Sequence, residues 1–238
     1  LYGGVGQDTM VGGRGNDSYL VGAWGWNRSM ESGDFIVERL GEGIDTVRSM
    51  AERFALPNHV ENLYLLEQPY ADLVGGSIPP LYGSQGTGND LDNLIKGNIY
   101  YNSLYGMGGN DTLVGGQGIA EFDDDRMEGG TGNDVYVVDA AYDTPFENVD
   151  EGIDTVRAFL DFKLWQRPFD GFETDPYGEI ENLVLQGDAR LGEGNALDNR
   201  LTGNALDNGL MGLAGNDTLR GGAGSDLLEG GTGNDRLE

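Results

Sequence analysis

The sequence predicts an all-β protein, a parallel β-roll or β-solenoid with longer β-rich spacers between blocks of short repeats. Three observations support this fold class: a period of nine residues, glycine-rich turns that alternate with single large apolar residues, and a longer repeat that contains both. The period decides the class, because a short repeat unit cannot bury its apolar face alone and must stack on its neighbours.

The nine-residue period is clearest from Gly194, where five consecutive segments read GNALDNRLT, GNALDNGLM, GLAGNDTLR, GGAGSDLLE and GGTGNDRLE. A second block starts at Gly88 and contains an interrupted copy, which stays in phase if 119–123 is a five-residue insertion. A third block opens the chain with GGVGQDTMV and GGRGNDSYL. The expected units are repeat blocks at 1–21, 88–138 and 194–238, separated by spacers at 22–87 and 139–193.

Each nonamer divides into a six-residue turn, G-G-x-G-x-D, and a three-residue strand with one large apolar residue. Glycine allows the positive φ angles of such a turn and exposes backbone carbonyls, and the large residue of the strand points inward. Two nonamers make one coil, so alternate repeats share an edge, and coils stack about 4.8 Å apart. We therefore expect Asp217 to lie over Asp235, and Asp226 over Asn208.

Carboxylates stacked at this spacing repel one another unless a cation lies between them. The chain has 41 acidic and 14 basic residues and a formal charge of −27, so its compact state is self-repelling. A hard cation with six to eight oxygen ligands at roughly 2.3–2.6 Å suits carboxylates together with turn carbonyls. The sequence thus indicates several bound Ca²⁺ ions.

The pattern GGxGxDxUx, where U is a large apolar residue, resembles the RTX or haemolysin-type calcium-binding repeats of secreted bacterial proteins. The resemblance covers 3–20, 88–137 and 194–238. It implies a parallel β-roll with one Ca²⁺ between alternate turns. One turn gives the carbonyls of positions two and four and its aspartate, and the next gives the carbonyls of positions one and three and its aspartate.

Carried onto this sequence, the resemblance implies two well-defined cages and several further ligands. The first cage comprises Leu213, Gly215 and Asp217 with Gly230, Thr232 and Asp235. The second comprises Met107, Gly109 and Asp111 with Gly129, Thr131 and Asp134. The further ligands are Asp8, Asp17, Gly116, Gly118, Asp125, Gly221, Ala223 and Asp226.

Two stretches, 88–105 and 194–211, depart from the pattern because asparagine replaces the aspartate of position six. Their cages lose a charge and are expected to be weak or empty. An alternative is that the aspartates one residue earlier replace the missing carboxylates; these are Asp92, Asp198 and Asp207.

The spacers belong to a longer repeat, since GEGIDTVRSM at 41–50 recurs as DEGIDTVRAF at 150–159. Their apolar patterns are typical of strands and are expected to continue the same coil with longer strands, apart from a weak helical pattern at 49–56. The spacers also contain two matched acidic pairs, which we expect to be solvated turns rather than further calcium ligands. The pairs are Glu42 with Asp45 and Glu151 with Asp154.

No catalytic motif is recognisable, and the protein is predicted not to be an enzyme. The single histidine, His59, has no HExxH partner, and the pair Glu173 and Asp175 has no spacing that fixes a catalytic partner. The scarcity of lysine and arginine excludes nucleic acid as a partner. No apolar run is long enough to span a bilayer, and the absence of cysteine excludes disulfides.

Metal binding is expected to be coupled to folding, with about five to eight Ca²⁺ ions bound at the roughly 10⁻⁴–10⁻³ M calcium of extracellular modules. The chain begins and stops inside a repeat, as expected of a piece of a longer protein. Three functions remain open: a structural segment of a secreted or cell-surface bacterial protein, a non-catalytic module of an extracellular enzyme, and a self-assembling filament or surface-layer subunit. The expected partners are calcium and further copies of the chain or flanking RTX modules.

Overall fold

The structure, a computed structural model, describes residues 1–4, 6–22, 33–67, 84–116, 124–164 and 179–238. These residues form 22 strands and no helix, so they contain no helix of the length and apolar character that could cross a membrane. The strands are β1 Thr9–Val11, β2 Ser18–Val21, β3 Phe35–Val37, β4 Thr46–Ser49, β5 Arg53–Ala55, β6 Asn62–Leu65, β7 Ser84–Thr87, β8 Leu94–Lys96, β9 Asn102–Gly108, β10 Thr112–Val114, β11 Arg126–Thr131, β12 Val135–Val138, β13 Thr144–Phe146, β14 Thr155–Ala158, β15 Phe162–Lys163, β16 Asn182–Leu185, β17 Leu191–Glu193, β18 Arg200–Thr202, β19 Gly209–Ala214, β20 Thr218–Arg220, β21 Leu227–Thr232 and β22 Arg236–Leu237.

The strands alternate between two faces of a coil. The eleven even-numbered strands form one sheet in the order β2-β4-β6-β8-β10-β12-β14-β16-β18-β20-β22. The odd-numbered strands form three smaller sheets, β1-β3, β13-β11-β9-β7-β5 and β15-β17-β19-β21. All pairings within these sheets are parallel, and each joins strands one coil apart. This arrangement is a parallel β-roll, and the predicted fold class is confirmed.

The strand register follows the repeat period of the sequence. Leu219 pairs with Leu201 on one side and with Leu237 on the other, so the large residues of position eight lie in one row. Leu104 pairs with Met127, which keeps the interrupted repeat in phase across 119–123. The insertion itself lies outside the described residues, as do Gly118 and the pair Glu173 and Asp175.

The spacers continue the same roll, but two expectations about them are wrong. Residues 49–56 contain the end of β4 and all of β5 and form no helix, because β5 pairs with β7 and Phe54 packs against the core. In the described parts of the spacers, no strand is longer than four residues, whereas β9 of the repeats is seven residues long. Each spacer strand joins a sheet that the repeat strands form, so the width of the roll limits the length of the spacer strand.

The core is a thin layer between the two faces of the roll. Each interior strand contributes one or two inward side chains, and those of Leu113, Tyr136, Val156 and Leu183 are fully buried. Because a three-residue strand buries little apolar surface, each coil depends on the coils stacked on both of its sides.

Truncating a central core residue tests this stacking. Leu113→Ala is expected to lower the free energy of unfolding of the calcium-loaded chain by about 2–5 kcal/mol. Leu113 is fully buried and pairs with Ile95 and Tyr136 on its two sides, so its neighbours are held in place and leave a cavity. Urea titration followed by circular dichroism measures the change. Leu227→Ala, at a side chain that is 70% exposed, is the control and should change the value by less than about 0.5 kcal/mol; equal losses would contradict a stacked core.

Candidate calcium sites

The turns of the roll lie along two edges. The turns that precede the even-numbered strands form the first edge, which carries Asp17, Asp111, Asp134, Asp217 and Asp235. The turns that precede the odd-numbered strands form the second edge, which carries Asp8, Asp125 and Asp226.

The repeat turns have positive φ at positions two and four, as the glycine pattern predicts. Gly130 and Gly132 have φ of 91° and 142°. Two non-glycine residues adopt the same conformation at position two, Met107 with φ 86° and Leu213 with φ 80°. Because left-handed backbone costs a residue with a β-carbon about 1–2 kcal/mol, the turn shape must be imposed by the stacking of the coils.

The carbonyls of positions two and four lie against the turn of the next coil. A β-carbon on Gly130 would clash with the carbonyl oxygen of Met107, and one on Gly231 would clash with that of Leu213. The carbonyls of Gly109 and Gly215 take the same place one step further along the turn, against Gly132 and Gly233. The carbonyls of position three, in Thr131 and Thr232, each accept a backbone hydrogen bond from the preceding coil.

The aspartates of position six form a ladder along each edge. The amide of Asp217 donates to Oδ1 of Asp235 at 3.0 Å, and the amide of Asp111 donates to Oδ1 of Asp134 at 2.6 Å. On the second edge the amide of Asn208 donates in the same way to Asp226 at 2.8 Å. The predicted stacking is therefore present, and each of these carboxylates uses one oxygen to hold the preceding coil.

The second oxygen of several aspartates is buried without a partner. Oδ2 makes no hydrogen bond in Asp111, Asp134 and Asp217 of the first edge. Oδ2 of Asp8, on the second edge, also has no hydrogen-bond partner. No lysine or arginine of the described residues pairs with any of these four carboxylates. A buried carboxylate oxygen without a donor is costly, so these atoms point to a cation.

A glycine lies against each of the two best-defined oxygens, Oδ2 of Asp111 and Oδ2 of Asp217. A β-carbon on Gly106 would clash with Oδ2 of Asp111 and would lie 2.5 Å from the carbonyl oxygen of Gly129. Gly212 has the same relation to Oδ2 of Asp217 and the carbonyl of Gly230. The lack of a side chain at each glycine thus lets a carboxylate oxygen and a carbonyl oxygen of the next turn lie close together, and an oxygen-only donor set of this kind fits Ca²⁺.

Burial raises the pKa of these carboxylates. Desolvation raises the pKa of Asp111 to about 8, and the charges of Asp134 and Asp92 add to the effect. Desolvation also raises the pKa of Asp134, to about 6, and that of Asp217. In each case a hydrogen bond from a backbone amide of the preceding coil lowers the pKa and so opposes this rise. A cation between the turns would favour the charged forms that burial disfavours.

The second edge carries a further acidic pair that the sequence interpretation recognised only in part. Asp125 is buried, and its Oδ1 accepts from the amide of Asn102 at 2.7 Å. Asp143 lies in the next turn of this edge and accepts from the amide of Asp125 at 3.4 Å. Burial and the charge of Asp125 raise the pKa of Asp143 to about 8. The strand register, with β13 stacked on β11, reveals Asp143, since its turn DAAYD has no glycine pattern.

The remaining predicted ligands on this edge occupy the places that the repeat gives them. Gly116 has φ 116°, and a β-carbon on it would lie 2.7 Å from the carbonyl oxygen of Asn98. Gly221 lies beside Oδ2 of Asp226. Ala223 donates its amide to the carbonyl of Asn204 at 3.3 Å.

In the asparagine turns, side-chain amides form hydrogen bonds with the polar groups of the turn. Asn199 accepts the amide of Asn195 at 2.7 Å through Oδ1, and its own Nδ2 donates to Oδ1 of Asn195 at 2.9 Å. Nδ2 of Asn195 donates to the carbonyl of Ile180 in the preceding turn at 2.8 Å. Side-chain N–H groups here face the carbonyls that a cation would otherwise bind, which supports the expectation that these cages are weak or empty.

The aspartates next to these asparagines accept hydrogen bonds from backbone amides of the next coil. Asp92 accepts from the amide of Asn110 at 2.7 Å, Asp198 from Asn216 at 2.6 Å and Asp207 from Ser225 at 2.8 Å. All three bonds lie on the exposed side of the turn. These bonds argue against the idea that the three carboxylates replace the missing ligands.

Asn102 provides a test of the amide turns. Its side chain is fully buried and hydrogen bonds to Asn98 and to Oδ1 of Asp125. Asn102→Ala leaves these partners unsatisfied and is expected to cost about 2–4 kcal/mol of unfolding free energy in saturating calcium. Thermal unfolding measures the loss. The matched control is Asn216→Ala, at an exposed side chain, which should cost under about 1 kcal/mol; the interpretation fails if the two variants melt together.

Two acidic residues that were expected to be solvated are buried. Asp45 and Asp154 are each 1% exposed, whereas Glu42 and Glu151 are only partly buried. They occupy position six of turns on the first edge, where their Oδ1 atoms accept the amides of Asp17 and Asp134 at 2.8 and 2.7 Å. The signal was present in the sequence, because IDTV at 153–156 matches NDTL at 110–113.

These observations define the class of protein: a parallel β-roll whose turns carry buried carboxylates that could hold cations between its coils. The family model of the RTX calcium-binding nonapeptide repeat matches four segments of the chain, residues 1–19, 87–120, 119–136 and 202–237. The chain therefore carries RTX calcium-binding repeats.

One curated relative matches a segment of the chain. Over 97 residues, or 41% of this chain, the sequence is 29% identical to the endo-1,3-1,4-beta-glycanase ExsH of Rhizobium meliloti (strain 1021). The match covers 17% of that protein's length, so the similarity concerns only a segment of it.

Proposed function

We propose that this chain is a calcium-folded structural segment of a secreted or cell-surface bacterial protein. The observation that carries the proposal is the set of buried carboxylate oxygens without partners, on Asp111, Asp134 and Asp217, each beside the turn of a neighbouring coil. The RTX repeats of the chain support Ca²⁺ as the ion.

Under this proposal the best-defined ions are held between neighbouring turns of the first edge. One site uses Asp111 and Asp134 with carbonyls of Met107, Gly109, Gly129 and Thr131. The other uses Asp217 and Asp235 with carbonyls of Leu213, Gly215, Gly230 and Thr232. A bound ion supplies positive charge between carboxylates and joins two coils, and it performs no catalytic step.

Calcium binding would be coupled to folding because the chain has little else to stabilise it. Its 42 glycines lose much conformational entropy on ordering, and its core is one thin layer. The stacked carboxylates add repulsion. Such a chain would remain unfolded at the low calcium of the cytosol and fold after export, at the roughly 10⁻⁴–10⁻³ M calcium at which extracellular modules bind the ion.

Counting bound ions tests the proposal. Native mass spectrometry of the purified chain in calcium is expected to show about five to eight ions per molecule. Light scattering in the same buffer should give a fixed molecular mass, whereas growth to very large particles would favour a self-assembling filament. Binding of no more than one ion would overturn the proposal.

A second function, a non-catalytic module of an extracellular enzyme, is favoured by the similarity to a glycanase. In that case the purified chain alone should release no sugar from β-glucan. Removing the segment from its parent enzyme should lower the yield of folded secreted protein and leave the turnover of the folded fraction unchanged.

A further inference from the structure

Two glutamates take a place in the turn that the repeats give to glycine. Phe146 pairs with Glu128 and Val37 pairs with Val11, so Glu147 stacks on Gly129 and Glu38 stacks on Gly12. Gly12 and Gly129 occupy position one of their repeats. Each glutamate therefore brings a carboxylate to the point where the next repeat turn would bring only a carbonyl.

Both glutamate side chains are buried and point back into the preceding turn. Glu38 is 7% exposed and Glu147 is 3% exposed. Oε1 of Glu147 accepts a hydrogen bond from the hydroxyl of Tyr136, and Oε1 of Glu38 accepts one from that of Tyr19. Oε2 of each glutamate has no hydrogen-bond partner.

Each glutamate completes a group of three carboxylates, which we call a block-end cluster. One cluster consists of Asp134, Glu147 and Asp154, and the other of Asp17, Glu38 and Asp45. In each cluster one carboxylate oxygen from every member lies within 4.8 Å of the others. The first cluster is buried in all three members, and Oδ2 of Asp134 is a second oxygen without a partner.

A tyrosine at position eight of the preceding repeat holds each glutamate in place. Tyr136 replaces the leucine of position eight, and its ring is fully buried. Its hydroxyl accepts from the amide of Gly129 at 2.8 Å and donates to Oε1 of Glu147, and Oε2 of that glutamate remains without a hydrogen-bond partner. Tyr19 makes the equivalent bond to Glu38 at the end of the first block.

We propose that each block-end cluster is a calcium site of a second kind, with three carboxylates, at the junction between a repeat block and its spacer. The inference rests on the proposed calcium binding but concerns a different set of ligands from the two cages described above, with only Asp134 in common. Desolvation first, and then neighbouring acidic charges, raise the pKa of Glu147 to about 9 and that of Asp154 to about 7. A divalent cation offsets that repulsion more fully where three carboxylates meet than where two do.

The number of carboxylates in each site sets the order in which we expect the sites to bind Ca²⁺. Affinity for Ca²⁺ rises with the number of charged ligands, so the two block-end clusters should fill before the two-carboxylate cages. We expect the first two ions to bind about tenfold more tightly than the rest. Terbium bound there should also emit strongly on tyrosine excitation, because Tyr19 and Tyr136 contact the clusters.

The test compares two charge-matched double variants by calcium titration and tyrosine-sensitised terbium emission. Glu38→Gln with Glu147→Gln should lose the two tightest ions and most of the terbium emission, and should keep the weaker ions. Glu128→Gln with Glu229→Gln removes the same charge outside the clusters and should bind like the unaltered chain. Retention of the two tightest ions and of the emission by the first variant would overturn the inference.

Circular dichroism in saturating calcium establishes that each variant folds. If the glutamine variant is unfolded, Tyr19→Phe with Tyr136→Phe decides, because it keeps the rings and removes the hydroxyls that orient the glutamates. This variant should weaken the first two ions several-fold, and unchanged affinity for them would count against the clusters. Failure of the unaltered chain to bind calcium at all would instead refute the proposed function, whereas a single class of equivalent ions would refute only the block-end sites.

Discussion

Removal of calcium with a chelator is expected to abolish the β-sheet signal of this chain and leave an unfolded polypeptide. The carboxylates of the first edge are stacked and buried, and the thin core cannot offset their repulsion together with the entropy of 42 glycines. Far-ultraviolet circular dichroism during titration with a calcium chelator measures the loss. The signal should return when calcium is restored in excess.

Magnesium serves as the control for this experiment. Mg²⁺ demands near-ideal octahedral geometry and gives up its water reluctantly, so an equal concentration should not restore the fold. A sheet signal that survives complete chelation would show that the coils are stable without ions, and the coupling between binding and folding would be refuted.

Asp217→Asn is expected to raise the calcium concentration at the folding midpoint by about tenfold or more. Asparagine can keep the Oδ1 acceptor for the amide of Asn199, 2.8 Å away, but removes the charge of the oxygen that has no partner. The same change should make the calcium-free chain slightly less unstable, because burial and the charge of Asp235 disfavour the ionised form of Asp217. Calcium titration of the circular dichroism signal measures the midpoint.

Asp198→Asn is the matched control, since it removes one charge from a neighbouring turn of the same edge. Its carboxylate lies on the exposed side and accepts from the amide of Asn216. The midpoint of this variant should move by less than about twofold, because exposed charges interact weakly. Equal shifts in the two variants would show that net charge, and not a cage at Asp217, determines the calcium dependence.

The repeat blocks were predictable from the sequence because their geometry is local. A glycine at a fixed place permits positive φ, and a large residue two places after the aspartate fills the core. The phase of these two features alone predicts that Leu201, Leu219 and Leu237 stack, as they do. The insertion before Asp125 was also predictable, since the pattern resumes after it.

The acidic residues of the spacers were not recognised because their positions depend on stacking between distant turns. Glu38 and Glu147 follow strands without a glycine motif, and only pairing with β1 and β11 places them over Gly12 and Gly129. Asp154 was recognisable in principle from the match between IDTV and NDTL. Its burial follows from the spacer strands joining the repeat sheet.

Because of the asparagine turns, different stretches of the roll should unfold at different calcium concentrations. Contacts in a roll run mainly between adjacent coils, so each stretch melts according to its own turns and those beside it. The coils around Asn93 and Asn199 are held by side-chain amides, and those around Asp111 and Asp217 need ions. As the ion is withdrawn, unravelling should begin in the aspartate stretches, and the coils around the asparagine turns should be the last to unfold.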